Sequence, residues 1–183
     1  MKQPYRIVIS GEGGQGVLSI AKIIATAAWM QGRTATYMPF FGTEKRGGIS
    51  IGYAQIGEEP ITVPKFEKAD LCVALSQRAV ARLMRYLKDD SVIVVNSFLV
   101  KDLTDIAKWK PHSIDAASIA REQLKKPRTF NMVIMGAMLK HIPGMSEEGF
   151  EKALEKAFKS KYEKDPALRE LNAKAVSIGY QLG

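Results

Sequence analysis

The sequence predicts a three-layer α/β/α fold with a mostly parallel sheet and a helical C-terminal third, in a single domain over residues 1–183. Three observations carry this. Short apolar runs alternate with longer amphipathic stretches, as when helices cover both faces of a parallel sheet. The hexapeptide GEGGQG, Gly11 to Gly16, joins the first apolar run to the first amphipathic one. The last third has helical spacing, and no linker, repeat or low-complexity tract interrupts the chain.

The elements follow in order. Tyr5–Ser10 reads as a strand and Val17–Gln31 as a helix. Thr34–Met38, β-branched and aromatic, is a second strand. Ile49–Ile56 is a third, with a turn at Gly57-Glu58-Glu59-Pro60 and a short return at Ile61–Val63. Leu71–Leu75 and Val92–Val95 are apolar and bounded by polar residues, as strands covered on both faces are. Gln77–Leu87 between them is helical, and His112–Ile114 adds an edge strand. Ala116–Leu124 and Phe130–Lys140 have helical apolar spacing. Ser146 is an N-cap with Glu147 and Glu148 in the first turn behind it. Asp165-Pro166 starts the last helix, since proline suits the first helical position.

Composition narrows the function. Hydrophobic residues at 46% with 25% charged describe a folded chain. No apolar run spans a membrane and the N-terminus lacks signal-peptide anatomy, so a cytoplasmic location is expected. Cys72 is the single cysteine, within an apolar strand, and reads as a small core hydrophobe. One thiol can neither close an internal disulfide nor hold an iron–sulfur cluster. His112 and His141 are the only histidines and have no second ligand at metal-binding spacing. The net charge of +8 favours an anionic partner. Many lysines alternate with glutamates, however, as in Glu151-Lys152 and Glu155-Lys156, and no basic run is interleaved with aromatics, so nucleic acid is not expected.

Read as G-x-G-x-x-G, the hexapeptide uses Gly11, Gly13 and Gly16 in the strand–helix context of a Rossmann-like dinucleotide fold. The fingerprint also needs a carboxylate at the end of the second strand. Thr34–Met38 runs into Pro39 without one, which disfavours NAD. The Walker pattern fails because Val17 follows Gly16 where a lysine is required. Two readings stand side by side: a phosphate cradle at a helix N-terminus, and a tight turn that packs closely with no ligand. A second stretch, Pro39-Phe40-Phe41-Gly42-Thr43-Glu44-Lys45-Arg46-Gly47-Gly48, follows the second strand and is expected at the same sheet edge. Lys45 and Arg46 there suit a phosphate or carboxylate. Phe40 and Phe41 suit either an interface or the core.

GEGGQG followed by FGTEKRGG resembles the gamma subunit of the 2-oxoacid:ferredoxin oxidoreductases, the pyruvate, 2-oxoglutarate and ketoisovalerate enzymes. Glu59-Pro60-Ile61, Asn96-Ser97, Asn131-Met132-Val133, Gly136-Ala137, Asn172-Ala173-Lys174-Ala175 and Gly179 extend the likeness over nearly the whole chain. Phe41 departs from it, standing where many members have tyrosine, so any role for that phenol is lost here. The resemblance implies a non-catalytic subunit of a complex that oxidatively decarboxylates a 2-oxoacid to acyl-CoA and reduces ferredoxin. Thiamine diphosphate and [4Fe-4S] clusters would lie in alpha-, beta- and delta-type partner subunits. This chain would assemble the complex and help wall the coenzyme A site, with Gly13, Gly14, Gln15, Gly16, Lys45, Arg46 and Asn131 as the contacts. Gln15 would hydrogen-bond across an interface or cap the following helix. The alternatives are the small subunit of indolepyruvate:ferredoxin oxidoreductase, which shares the glycine opening, and a free-standing nucleotide-binding protein. Substrate contacts are expected on the other chains. The resemblance leans to the 2-oxoglutarate and branched-chain members, since the pyruvate members diverge more around the glycine loop.

Overall fold

The computed structural model describes residues 3–41 and 48–183. Six strands form one sheet in the order β2-β3-β1-β4-β5-β6. They are β1 (Tyr5–Glu12), β2 (Thr34–Phe41), β3 (Ile49–Gly57), β4 (Leu71–Ala74), β5 (Val92–Asn96) and β6 (His112–Ile114). The β1–β4, β4–β5 and β5–β6 pairs are parallel, whereas β3 runs antiparallel to both β1 and β2. Five strands therefore point one way, as the apolar runs predict.

Alternation along the strands divides the core. Ile7 and Ile9 of β1 join a cluster with α1 (Val17–Met30) and the C-terminal helices. Val8 between them turns to the other face, against α2 (Gln77–Leu83) and Tyr86. The period of 2 sets this two-sided burial. Cys72 belongs to the second cluster and has no exposed surface.

The C-terminal third is helical, with α4 (Phe130–Leu139), α5 (Glu147–Lys164) and α6 (Ala167–Leu182). Ser146 caps α5 through its hydroxyl, which accepts from Gly149 N–H at 3.1 Å, and Glu147 and Glu148 follow. Gln31 Oε1 accepts from Ser146 N–H at 2.9 Å and from its hydroxyl at 2.8 Å, tying the end of α1 to the start of α5. Helices α4 and α6 touch backbone to backbone. A Cβ on Gly136 would overlap the Val176 carbonyl, and one on Gly179 would overlap the Val133 carbonyl.

Four expected elements differ. Ile61–Val63 forms no strand, because the side chain of Gln55 donates to Val63 O at 2.6 Å where a ladder would be. Strand β2 continues through Pro39 to Phe41, which an edge position permits. The helix expected over 77–87 stops at Leu83 and tightens to a 3₁₀ turn over Met84–Tyr86, where the buried Tyr86 hydroxyl meets that of Tyr53. The helix expected over 116–124 is a short turn, α3 (Ala116–Ser118), widened to a π-turn over Ile119–Gln123. Lys125, at φ 53°, ends it. Among the described residues no helix is long and apolar enough to cross a membrane.

Gly136→Ala and Gly179→Ala should each cost about 1–3 kcal/mol, the range for overpacking, read as a thermal midpoint lower by about 2–4 °C per kcal/mol. Gly13→Ala, where a Cβ meets nothing within 4 Å, serves as the tolerated control. Midpoints for the two helix variants within a degree of the parent would refute the backbone contact.

Candidate functional site

Gly11 and Glu12 still lie in the ladder, opposite Ser50 and Ile49. The chain then turns through Gly13-Gly14-Gln15-Gly16 into α1. Gly14 and Gly16 hold φ of 92° and 84°, values that side-chain-bearing residues adopt only under strain. Gln15 closes the turn twice: its N–H donates to Glu12 O at 3.1 Å, and its Oε1 accepts from Glu12 N–H at 2.7 Å. Gly13 N–H donates to Gly48 O at 3.2 Å. The expectation that Gln15 caps α1 is not met, since α1 has no side-chain cap. The oxygen of Gln15 is used inside the turn, and the first-turn amides of α1 are left open.

The glycines divide into two kinds. A Cβ on Gly11 would come within 2.6 Å of Gln15 Oε1 and 2.9 Å of Leu75 Cβ, and one on Gly16 within 2.8 Å of Asn131 Nδ2. Around Gly13 and Gly14 a Cβ would meet nothing within 4 Å. Gly11 and Gly16 are therefore packing glycines. Gly13 and Gly14 leave open space beside the backbone, which a ligand can approach, although the Gly13 N–H is already given to Gly48 O. The turn sits at the carboxyl end of β1, next to β4, where the strand order reverses and open α/β sheets bind ligands.

The second motif reaches the same edge. Phe41 lies opposite Ser50, and Ser50 lies opposite Gly11. Lys45 and Arg46 fall outside the described residues. Phe40 and Phe41 are 50% and 65% exposed, so neither ring is in the core. Asn131, from the first turn of α4, is brought against Gly16.

At the same edge, Ser10 and Ser76 escaped the sequence reading, and Asn96 entered it only through the resemblance. Ser10 lies near the end of β1, Ser76 follows β4 and Asn96 ends β5. All are buried, and among the described residues Ser10 Oγ, Ser76 Oγ and Asn96 Oδ1 lack a hydrogen-bond partner, as does Asn131 Oδ1. Buried polar atoms are nearly always paired, so a row of orphans marks a place where a partner is expected. The available signal was a polar residue directly after each apolar strand. Serine hydroxyls, carboxamides and glycine amides can hold a ligand by hydrogen bonds. Among the described residues no three metal-ligating side chains cluster. Burial pushes the Cys72 thiol up to about 12, with Asp70 adding to the effect, which removes thiolate character.

The fold and this edge define an α/β domain of the kind that binds ligands at the carboxyl ends of its strands. Residues 6–182 match the family model described as pyruvate ferredoxin/flavodoxin oxidoreductase, and the chain belongs to that family. The chain is 33% identical over 159 residues to the 2-oxoglutarate synthase subunit KorC of Methanocaldococcus jannaschii, covering 84% of this chain and 83% of that one. It is 33% identical over 178 residues to the pyruvate/ketoisovalerate oxidoreductases common subunit gamma of Pyrococcus abyssi, covering 93% and 92%. Among solved structures, the keto/oxoacid ferredoxin oxidoreductase gamma subunit of Geobacter sulfurreducens superposes with a TM-score of 0.81 at 28% identity, over 97% of both chains. The 2-oxoglutarate:ferredoxin oxidoreductase of Magnetococcus marinus, described with 2-oxoglutarate, coenzyme A and succinyl-CoA bound, shares the fold at a TM-score of 0.85 and 23% identity. There the whole of this chain matches 31% of a longer one. The chain is thus a gamma-type subunit of the 2-oxoacid:ferredoxin oxidoreductases, and the free-standing nucleotide-binding and indolepyruvate alternatives are not favoured.

Two outcomes follow. Gln15→Ala should destabilise the chain by about 1 kcal/mol through the orphaned Glu12 N–H, measured by urea unfolding; an unchanged midpoint would mean that the side chain does not close the turn. Cys72 should resist a thiol reagent such as dithionitrobenzoate at neutral pH until the chain unfolds, and rapid native-state labelling would contradict its burial.

Proposed function

We propose that this gamma-type chain helps wall the coenzyme A site of its oxidoreductase and holds the complex together. The observation that carries the reading is the open glycine backbone at Gly13 and Gly14, beside the uncapped start of α1 and the unpartnered Asn131 oxygen. Coenzyme A bears phosphates for backbone amides and cations, and amides for orphaned carboxamides. These residues fit it. Gly13, Gly14, Gly16 and Asn131 would hold it, with the amide nitrogen of Gln15, and Lys45 and Arg46 would supply charge.

The overall reaction is oxidative decarboxylation of a 2-oxoacid to an acyl-CoA with electrons passed to ferredoxin. On this reading thiamine diphosphate and the [4Fe-4S] clusters reside in alpha-, beta- and delta-type partners, as the family resemblance implies; for the clusters, the single cysteine of this chain agrees. Exposed Phe40 and Phe41 then pack against a partner chain in the cytoplasm. The 2-oxoacid is chosen elsewhere in the complex. The Pyrococcus abyssi relative, named as common to a pyruvate and a ketoisovalerate enzyme, supports that division.

Lys45→Ala and Arg46→Ala in the reconstituted complex test the site. A charge-assisted hydrogen bond of about 1.5–3 kcal/mol predicts a KM for coenzyme A raised by roughly ten- to a hundredfold. The KM for the 2-oxoacid should hold. Two unmoved constants would remove Lys45 and Arg46 from the site, and a complex that falls apart would make them interface residues instead.

A further inference from the structure

We propose that the chain carries a second ligand site, for a compact multivalent oxyanion, at the amino edge of the sheet, opposite the glycine turn. A cavity of about 830 Å³ opens there, between the start of β1, the end of β3, the segment leading into β4 and Lys88. That volume suits a small molecule. The site lies at the other end of β1 from Gly13, about 25 Å away at the rise of a strand, so it is separate from the proposed coenzyme A edge.

Its charge is not balanced. Arg6, Arg33, Lys68 and Lys88 line it, against Glu58 and Asp70. Lys88 is paired with Asp70 at 2.6 Å, and the other Asp70 oxygen accepts from the backbone N–H of Arg6 at 2.7 Å. Arg33 and Lys68 are fixed by neutral acceptors. Arg33 Nη1 donates to Pro143 O at 2.6 Å, and Lys68 Nζ donates to Leu87 O at 2.7 Å and Arg85 O at 3.3 Å. A carbonyl holds a cation in place without cancelling its charge. Arg6 Nε is buried and has no hydrogen-bond partner among the described residues. Of the two carboxylates in the lining, Asp70 is held by Lys88 and by the backbone N–H of Arg6.

Four cations against two carboxylates around one concavity fit an oxyanion bearing several charges. Two of them are guanidinium forks that match phosphate or carboxylate. Because the side chains are already anchored, little ordering opposes binding. Pro4, Ile56 and Pro143 add apolar wall.

Calorimetric titration of the full chain at low ionic strength, with pyrophosphate and separately with citrate, tests the site. Saturable one-site binding of at least one probe with a sub-millimolar dissociation constant is expected. Pyrophosphate alone marks a phosphate site, citrate alone a carboxylate site, and both a shared one. The pair Arg33→Gln with Lys68→Gln should weaken binding about tenfold or more. The pair Lys164→Ala with Lys174→Ala removes the same charge from exposed helix surface and should leave binding unchanged. Should the first pair unfold, Arg6→Gln carries the same expectation, since the Arg6 Nε has no hydrogen-bond partner among the described residues. No binding of either probe, or an equal loss in the surface pair, overturns the proposal. The coenzyme A KM of the assembled enzyme should respond to Lys45 and Arg46 and not to these residues, so failure here and failure of the coenzyme A reading are told apart.

Discussion

Helix α4 fits in one place, and the glycine turn depends on where that is. Gly136 lies under the Val176 carbonyl of α6, and Gly179 of α6 lies under the Val133 carbonyl of α4. The contact is reciprocal, backbone on backbone, with no side chain to give way. Every residue from Met132 to Leu139 is buried, so α4 has no solvent face along which to slide. Asn131 projects from the first turn of this helix onto Gly16, and only a residue without Cβ leaves it room. A shift of α6 is thereby passed through α4 to the start of α1. A packed interior transmits such shifts because it has few voids to absorb them.

The antiparallel strand β3 has a consequence for the same edge. Had the chain crossed over after β2 to add another parallel strand, the segment leaving Phe41 would have carried the chain back to the amino end. Instead β2 and β3 pair directly, so Phe41 and Gly48 both lie at the carboxyl edge, and Gly48 accepts from Gly13. Both sequence motifs are brought to the end of β1 by one local choice of strand direction. The cavity opens at the amino edge, where residues 58–70 lead from β3 to β4.

The sheet was legible because its signals are local. The apolar runs at β1, β4 and β5 announce burial on both faces, and their boundaries fall within a residue or two of the observed ones. What was not legible depended on distant partners. Ile61–Val63 has strand composition, yet Gln55 takes its carbonyl. The spacing over 116–124 fits an α-helix, while the structure widens to a π-turn whose amides reach back five residues, as Leu124 N–H does to Ile119 O. At the site, the glycines were visible but not their division into packing and open positions, since Leu75 and Asn131 are far along the chain from Gly11 and Gly16. The orphaned oxygens of Ser10, Ser76 and Asn96 were hidden for the same reason. A polar residue after a strand is ordinary until the fold removes its partners.

Net charge illustrates how one composition number conceals two situations. On the C-terminal helices the cations meet carboxylates: Lys152 lies 2.6 Å from Glu148 and Arg169 2.6 Å from Glu155. Both pairs are exposed, so they add little stability and little field. At the amino edge Arg33 and Lys68 rest on carbonyl oxygens, which leaves their charge directed into a concavity. The surplus of the +8 chain is therefore unevenly placed. The carboxyl edge, by contrast, gathers the unpaired polar oxygens of Ser10, Ser76, Asn96 and Asn131 among its described residues. The proposed coenzyme A edge would join hydrogen-bonding groups to the charges of Lys45 and Arg46, whereas the proposed amino-edge site would rest on charge alone, the interaction that salt screens.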